Sequence, residues 1–588
     1  MRSAMSLVAV AAICLAGVAL AGCGSTGGTS SGGSGGGSGS GGSGSSSSTA
    51  YTIGGTVSGL SGTGLVLQDD DADNLAVRSN GAFAFDLMIN SGKPYSVTVL
   101  AQPSNPSQNC AVANGSGTAT ADISNVQVTC SIVTPVAAGS WVWMGGAKVT
   151  NQSGTYGTLG VPSASNFPGA RESSATWTDS TGGFWLFGGT GFGSGGTSGH
   201  LSDLWRYSGG EWTWVAGPDT PDGKGVYGAE GTAAADNYPG ARFQAVTWTD
   251  PQGNFWLFGG AGWASGGSGG NLNDLWKYSP ATRMWTWVSG SDVGAQPGTS
   301  GAWQGTGIYG TKGVAAPTNS PGARVDAVSW VDSSGNLWLF GGEGTDGNGT
   351  LGILNDLWKF SPSTGMWTWM SGSDTRSQSG VYGTQGVASP SNVPGARTSG
   401  VTWTDNEGNL WLFGGQGLGG NGCQGALECV LNDLWKYSPA TGMWTWEGGA
   451  DVVEQQGKYG TRGVASSSNI PGARWFATGW ADSQGNFWLF GGNGVDASDR
   501  VGDLNDLWEY SPASGKWMWV NGSNQAGQLG DYGTVGVAAA SDVPGARLGA
   551  VGWRDSSGNL WLFGGDDSFD LGLALGGGKF NDLWEYQP

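Results

Sequence analysis

From residue 137 onward the chain repeats one unit six times, and this repetition limits the folds open to it. Each unit holds the tetrapeptide PGAR, a run ending in Trp-x-Asp, a turn with FWLFGG or LWLFGG, a Gly-rich loop, a variant of LNDLWKY and a run such as WTW. These segments predict four β-strands per unit. One such sheet cannot bury its own apolar faces, so the six units are expected to pack on one another.

The number of tryptophans tests the prediction of six four-stranded units. Each unit uses five of the 33 tryptophans, but the sixth ends at NDLWEYQP, without its WTW pair. The missing pair occurs upstream as Trp141 and Trp143, in SWVWMGG. We therefore expect the N-terminal strand to complete the last sheet and remove its exposed edges. Strands covered on both faces can be aromatic on both faces, which makes the repeated tryptophans mostly scaffold.

The Phe-Gly-Gly after an apolar strand, the paired downstream aromatics and the Arg opening the first strand resemble the kelch repeat. The resemblance covers about three-quarters of the chain. It implies an all-β protein in which 137–588 form a six-bladed kelch-type β-propeller whose N-terminal strand closes the last blade. The unit departs from the family in length, because 71 to 82 residues separate successive PGAR arginines, against about 50 for a kelch unit.

The N-terminus is typical of an export signal. Residues 1–22 combine Arg2 with a short apolar run, and the following Leu20-Ala21-Gly22-Cys23 resembles the lipobox of bacterial lipoproteins. The resemblance implies cleavage before Cys23 and acylation of this residue, which would anchor the chain to a membrane. Gly24 resembles the pattern sent to the outer membrane in a Gram-negative cell. An ordinary secretory signal with a chance cysteine is the alternative.

Two segments precede the repeats. Residues 23–50 are a Gly/Ser tether, a flexible coil spanning on the order of 30 Å. Residues 51–134 alternate β-rich runs with Gly, Asn and Ser turns, which predicts a small antiparallel β-sandwich-like domain. Its acidic stretch Asp69–Asn74 lacks the ligand spacing of an EF-hand, which favours a solvated turn over a calcium loop.

Four cysteines remain after Cys14 leaves with the signal and Cys23 carries lipid. Export favours disulfides over metal sites, and His200 is the only histidine. We therefore predict no metal and no other cofactor. The expected disulfides join two local pairs, Cys110 with Cys130 and Cys423 with Cys429.

The net charge of the chain limits the classes of partner that we expect it to bind. The formal net charge is -20, which argues against nucleic acid, because phosphate binding needs clustered Lys and Arg. The expected partners are the membrane, through the lipid on Cys23, and a glycan or a surface or secreted protein. We expect a monomer on the bacterial cell envelope, on its extracytoplasmic side.

Long loops concentrate at one end of the expected sheets. The turns between first and second strands, and between third and fourth, are tight, whereas all long segments leave the opposite face. Binding usually lies on such loops. Three tryptophans on this face fall outside the repeat register and could stack on a sugar ring or a partner's apolar group, unless they fold back onto their own blades: Trp263, Trp303 and Trp475.

The PGAR arginines are further binding candidates. In kelch interaction domains Arg residues near this position often face the ligand, which the resemblance extends to Arg171, Arg242, Arg324, Arg397, Arg474 and Arg547. They could hold carboxylates bidentately. The alternative, favoured by the sixfold repetition, pairs them internally with the NDLW aspartates Asp203, Asp274, Asp356, Asp433, Asp506 and Asp582. A repeated tyrosine is expected to pin each long crossing: Tyr156, Tyr227, Tyr309, Tyr382, Tyr459 and Tyr532.

An enzymatic function is a less favoured alternative to a binding function. Galactose oxidase and its relatives carry a similar propeller, but their copper site needs His, Tyr and a Cys-crosslinked Tyr, which one histidine and no evident free cysteine cannot supply. His-dependent triads and His-rich zinc sites fail for the same reason. Metal-free acid–base chemistry, as in kelch-type sugar mutarotases or epimerases, or a lyase-like reaction, could use Glu172 and Glu343. The favoured function is a membrane-anchored binding protein that holds a glycan or protein on its long-loop face.

Overall fold

The computed structural model describes residues 49–69, 73–104, 108–132, 139–267, 269–295, 305–423, 429–567 and 578–588. The signal sequence, Cys23 and most of the tether lie outside this part of the chain. Every regular element within it is a β-strand, so the predicted all-β class is confirmed. Many small sheets with repeated tryptophan-rich clusters are compatible with a β-propeller. None of the described residues forms a helix long and apolar enough to cross a membrane.

The N-terminal domain has two four-stranded sheets around one apolar core that includes Ile53, Leu67 and Val128. In spatial order the first contains Gly81–Ala84, Ile53–Ser58, Ile123–Ile132 and Gln108–Ala113; the second contains Asp73–Val77, Leu65–Asp69, Pro94–Ala101 and Ser116–Thr118. A separate pair joins Ala50–Tyr51 to Ile89–Asn90.

One pairing in this domain corrects the expectation of a purely antiparallel sandwich. Ile123–Ile132 runs parallel to Ile53–Ser58. Parallel neighbours need a long connection rather than a hairpin, and the intervening residues supply one by building the second sheet. Ile123–Ile132 is antiparallel to its other neighbour, where Cys110 lies opposite Cys130 and forms the predicted disulfide.

The repeat region contains six antiparallel sheets, numbered here 1 to 6, each with four main strands; sheets 1, 2 and 4 have a fifth strand of two residues. Sheets 1 to 3 contain Ala175–Thr178, Phe184–Phe192, Ser198–Ser208 and Glu211–Ala216; Val246–Thr249, Phe255–Phe258, Leu275–Ser279 and Met284–Ser289; and Val328–Val331, Leu337–Phe340, Leu357–Ser361 and Met366–Ser371. Sheets 4 to 6 contain Val401–Thr404, Leu410–Gly417, Val430–Ser438 and Met443–Gly448; Thr478–Ala481, Phe487–Phe490, Leu507–Ser511 and Lys516–Asn521; and Val551–Arg554, Leu560–Phe563, Leu583–Gln587 and Ser140–Gly145.

Sheet 6 combines strands from the two ends of the repeat region. Ser140–Gly145 pairs antiparallel with Leu583–Gln587, and Trp143 lies opposite Trp584. The N-terminal strand thereby occupies the outermost position that the last repeat leaves open.

Short strands extend the sheets at the PGAR end. Five two-residue strands each begin with a PGAR arginine: Arg171–Glu172, Arg242–Phe243, Arg324–Val325, Arg397–Thr398 and Arg474–Trp475. In sheets 2, 3 and 5 they pair with the separate strands Ala261–Trp263, Glu343–Thr345 and Asn493–Val495. These strands pair in turn with Gly269–Asn271, Leu351–Ile353 and Val501–Asp503.

The unusual length of the repeat lies in the crossings between sheets. Each crossing runs along the outermost strand of the sheet that follows it and donates a backbone hydrogen bond there, as from Gly386 N to Trp446 O at 2.7 Å. In sheet 2 the contact includes a two-residue strand, Ala233–Ala234. The extra residues therefore cover an edge that would otherwise present free backbone groups.

The first strands of the six sheets contact one another in sequence order, and Ala175–Thr178 also contacts Val551–Arg554. A tryptophan near the end of each first strand donates its indole N–H to a carbonyl of the next sheet, over 2.9–3.2 Å. Trp553 of sheet 6 donates to Trp185 of sheet 1, so these bonds make a closed cycle. Each apolar cluster of the repeat region accordingly draws side chains from two neighbouring sheets.

Candidate functional site

Every PGAR arginine lies in a buried cluster with the NDLW aspartate of its own repeat. Arg171 donates from both terminal nitrogens to the two carboxylate oxygens of Asp203, at 2.7 Å each. Tyr156 and Trp205 donate to the same carboxylate, at 2.6 and 2.7 Å. The arrangement recurs in all six repeats with distances of 2.6–2.8 Å.

The side chains of these ion pairs are at most 1 % exposed. Burial and the Asp203 carboxylate raise the pKa of Tyr156, so its hydroxyl stays protonated and donates. The internal pairing weighed above for Arg171, Arg242, Arg324, Arg397, Arg474 and Arg547 is therefore present. A direct ligand contact would require a buried ion pair to open, and that role stays a prediction.

The residue two positions after each PGAR arginine has a left-handed backbone, with φ between 51 and 64°. Only one of the six is glycine, and positive φ is uncommon for other residues. Such conformations persist only where the surroundings hold them, and they cluster at functional sites. The six residues, called the ring below, are Ser173, Gln244, Asp326, Ser399, Phe476 and Gly549.

Backbone hydrogen bonds join these six residues into a closed cycle. Each donates its N–H to the carbonyl of the ring residue in the preceding sheet, over 2.8–3.2 Å, and Ser173 donates to Gly549. The backbone of the ring is thus satisfied internally, which leaves its side chains free to differ. They are two hydroxyls, an amide, a carboxyl, a phenyl ring and a hydrogen.

All six ring residues line one cavity of about 170 Å³, together with small residues such as Ala327 and Gly400. The Ser399 side chain is buried, and its hydroxyl lacks a partner of good hydrogen-bond geometry among the described residues. The cavity therefore offers hydroxyl, amide and carboxyl groups beside the Phe476 ring. A small number of polar groups in an otherwise tight concavity is typical of a small-ligand site.

Asp326 is the only charged member of the ring. Burial raises its pKa well above the ordinary range; the Ser399 hydroxyl opposes this shift, while Glu343 and Glu172 add to it. No Lys or Arg in the described part of the chain forms an ion pair with Asp326.

The two carboxylates of the enzyme reading have different surroundings. Glu172 accepts a 2.6 Å ion pair from Lys579, which also contacts Asp566 at 2.6 Å. Burial raises the pKa of Glu172, Lys579 opposes the shift and Asp566 adds to it. Glu343 is exposed and lies opposite Val325 in its strand pair. Both lie in short strands at the PGAR end of the sheets, and both act electrostatically on Asp326.

Trp263 is half-buried in a short strand rather than free in a loop. Its indole donates to Asp222 at 2.9 Å, and the same carboxylate oxygen accepts the backbone N–H of His200. The His200 ring stacks on Phe243 at 4.6 Å, and burial lowers the His200 pKa while Asp222 opposes the shift. Trp303 lies outside the described residues.

Trp475 follows a PGAR arginine and directly precedes the ring residue Phe476. The two rings lie 4.8 Å apart, and the indole contacts the Asn493 side-chain oxygen at 3.3 Å. Trp475 is half-buried against a small apolar cluster that includes Val430 and Val495. Of the tryptophans singled out above, it lies nearest in sequence to the ring.

A second cavity, of about 270 Å³, lies further along the first strands of sheets 1 to 3. Thr176, Thr247 and Ser329 line it, with tryptophans from the same strands. The Ser329 hydroxyl is already bonded to the Thr247 carbonyl at 3.1 Å. This cavity offers no charged group among its lining residues.

The six ring residues belong to no chemically reactive sequence motif. Their signal is internal variation: the two residues after PGAR read ES, FQ, VD, TS, WF and LG, whereas the flanking positions repeat. Because the six repeats share the residues that form the fold and differ at these two positions, the side chains at these positions are not required for the fold.

The remaining predicted disulfide joins Cys423 to Cys429, in the loop between the second and third strands of sheet 4. No known protein-family model matches the chain, and no characterised protein sequence is significantly similar to it.

Proposed function

We propose that the six sheets form a closed, six-bladed β-propeller of kelch type that binds a glycan or a protein at its ring end. The cyclic order of contacts between first strands supports the closure, as do the two cycles of hydrogen bonds. The last strand comes from the other end of the repeat region.

The binding role rests chiefly on the ring. Six side chains that differ between repeats are gathered around one cavity, while the buried frame beneath them repeats. Aromatic groups near the same end, among them Phe476, Trp475 and Phe243, suit the faces of sugar rings or apolar side chains.

The protein would work on the outer side of a bacterial membrane, held by lipid on Cys23 and lifted by its Gly/Ser tether. A Cys23→Ser chain should lose metabolic labelling with palmitate and leave the membrane fraction, while wild type keeps both. Equal membrane retention of the two chains would contradict lipid anchoring.

Binding is tested with the mature chain carrying Cys23→Ser, screened against bacterial and plant polysaccharides and cell-surface extracts. Trp475→Ala or Phe476→Ala should weaken capture of a ligand at least tenfold. Glu407→Gln, an exposed change in the tight turn at the far end of sheet 4, should leave capture unchanged. Equal loss in all three variants, or no loss in any, would contradict a site at the ring.

A second candidate is a metal-free sugar isomerase or lyase using the same end. The observation that favours it is the ion-paired Glu172 beside Lys579, with the pKa of Glu172 raised. Turnover that Glu172→Gln or Glu343→Gln abolishes, with ligand binding retained, would support catalysis. Binding without turnover of any captured glycan would support the binding protein.

A further inference from the structure

We propose that the ring cavity receives an amino-sugar residue, with the ammonium group of the sugar paired to the carboxylate of Asp326. This inference rests on the proposed binding function and specifies the chemistry of its ligand.

The first support is a carboxyl group at this cavity that has no ion-pair partner among the described residues. Glu343 and Glu172 act electrostatically on Asp326, no described Lys or Arg pairs with it, and Lys579 is already shared between Glu172 and Asp566. Removing a carboxylate from water without a partner is costly. A ligand cation would supply the missing countercharge, and an anionic ligand would be repelled.

The second support is the set of neutral groups around Asp326. Gln244, Ser173 and Ser399 line the cavity, and the hydroxyls of both serines are buried without partners of good geometry. Amide and hydroxyl groups both donate and accept hydrogen bonds, as the hydroxyls of a sugar do. The Phe476 ring adds an apolar surface against which a sugar face can pack.

The size of the cavity is compatible with a sugar. Its volume of about 170 Å³ has room for a group about as large as one terminal sugar residue. The described residues contain no cluster of three or more His, Cys, Asp or Glu side chains suited to a metal ion. A single carboxylate with hydroxyl neighbours matches an organic ammonium group.

The test uses the mature Cys23→Ser chain and calorimetric titration with the tetramer of glucosamine. The tetramer of N-acetylglucosamine has the same ring but no charge, and Nα-acetyl-lysine amide presents the ammonium without the sugar. We expect saturable binding of the glucosamine tetramer, at least tenfold tighter than that of either comparison ligand.

Asp326→Asn is the decisive variant, because Asn also tolerates positive φ and keeps the shape while removing the charge. It should weaken glucosamine binding at least tenfold, whereas Glu407→Gln, at an exposed position at the far end of sheet 4, should change it less than threefold. Phe476→Ala gives a second reading if the Asp326 variant fails to fold, and should also lose at least tenfold.

Absence of saturable glucosamine binding, equal binding by Asp326→Asn, or preference for the lysine amide would each overturn the inference. If a glycan or protein is still captured and Trp475→Ala releases it, the proposed function survives that failure. If no ligand is captured at the ring end, the function itself fails.

Discussion

One buried carboxylate in each repeat accepts hydrogen bonds from three other side chains. In the fourth repeat Asp433 receives two bonds from Arg397, one from Tyr382 and one from Trp435, all at 2.6–2.7 Å. Through these partners a single residue fixes the PGAR strand, the crossing and the third strand of the sheet.

Asp433→Asn should lower the free energy of unfolding by about 3–5 kcal/mol, because it leaves the buried Arg397 without a countercharge. Thermal and urea unfolding of the mature chain measure the loss. Asp374→Asn, at an exposed position, is the control and should change stability little. Similar midpoints for the two variants would show that the buried pair is not a main support.

The sixth repeat differs from the other five at a position shortly before PGAR. Five repeats carry an asparagine shortly before PGAR whose side-chain nitrogen donates to two carbonyls, as Asn392 does to Val387 and Trp444 at 3.0 and 3.2 Å. The sixth has Asp542, which is 2 % exposed and has no partner for either carboxyl oxygen in the described structure. When its carboxyl group is ionised, Asp542 cannot donate a hydrogen bond to the equivalent carbonyls of the sixth repeat.

Asp542→Asn should therefore stabilise the chain at pH 7 by about 1–2 kcal/mol. Burial raises the pKa of Asp542 in the folded state, so the wild type gains stability as the pH falls and the carboxyl is protonated. The difference between the two chains should shrink on acidification. The reciprocal change Asn392→Asp should introduce the same defect into repeat four, and a pH-independent difference would refute the explanation.

At the scale of single strands, the six repeats differ at one position of the third strand of each sheet. One position carries a cation in sheets 1 to 4: Arg206 bonds the turn carboxylate of Asp179 at 2.8 Å, and three lysines lie 5.2–5.7 Å from a tryptophan ring centre. Sheets 5 and 6 place Glu509 and Glu585 there. Burial and then Asp555 raise the pKa of Glu585 to about 7, against the side-chain bond from Asn559.

Glu585→Gln should stabilise the chain at pH 8 by about 1 kcal/mol, a figure reduced for solvent screening of this half-buried group. A carboxyl whose pKa is higher when folded loses stability as the pH rises from about 4.5 to about 7. The advantage of the variant should thus disappear near pH 4.5. Thermal midpoints across this range measure it, with Glu407→Gln as the exposed comparison, and an advantage unchanged at acid pH would contradict the mechanism.

At the scale of the whole molecule, sheet 6 is completed by a strand from the N-terminal end of the repeat region. Ser140–Gly145 covers the edge of Leu583–Gln587, and an uncovered edge invites pairing with other chains. A chain starting at residue 147 should associate and unfold at lower temperature than one starting at 139. Light scattering after size-exclusion chromatography measures the association. Two monomeric chains of equal stability would contradict the role of this strand.

Much of the frame could be predicted from the sequence, because tryptophans and turn glycines recur at positions dictated by strand packing. The all-β class and both disulfides follow from such local patterns. The parallel partner of Ile53–Ser58 could not be foreseen, since it is set by a long connection. The ring was missed for a related reason: its residues come from six distant segments, and nothing in a lone Gln244 or Ser399 announces a shared cavity.

The backbone hydrogen bonds around the ring all run in the same direction, each N–H donating to the carbonyl of the preceding ring residue, so the cycle has no end at which it could fray. Because only backbone atoms form this cycle, exchanging its side chains leaves these hydrogen bonds in place. The backbone contribution to stability is therefore independent of the identity of the six side chains. Substitutions at these six positions would remodel the lining of the cavity and leave the tryptophan contacts between the sheets in place.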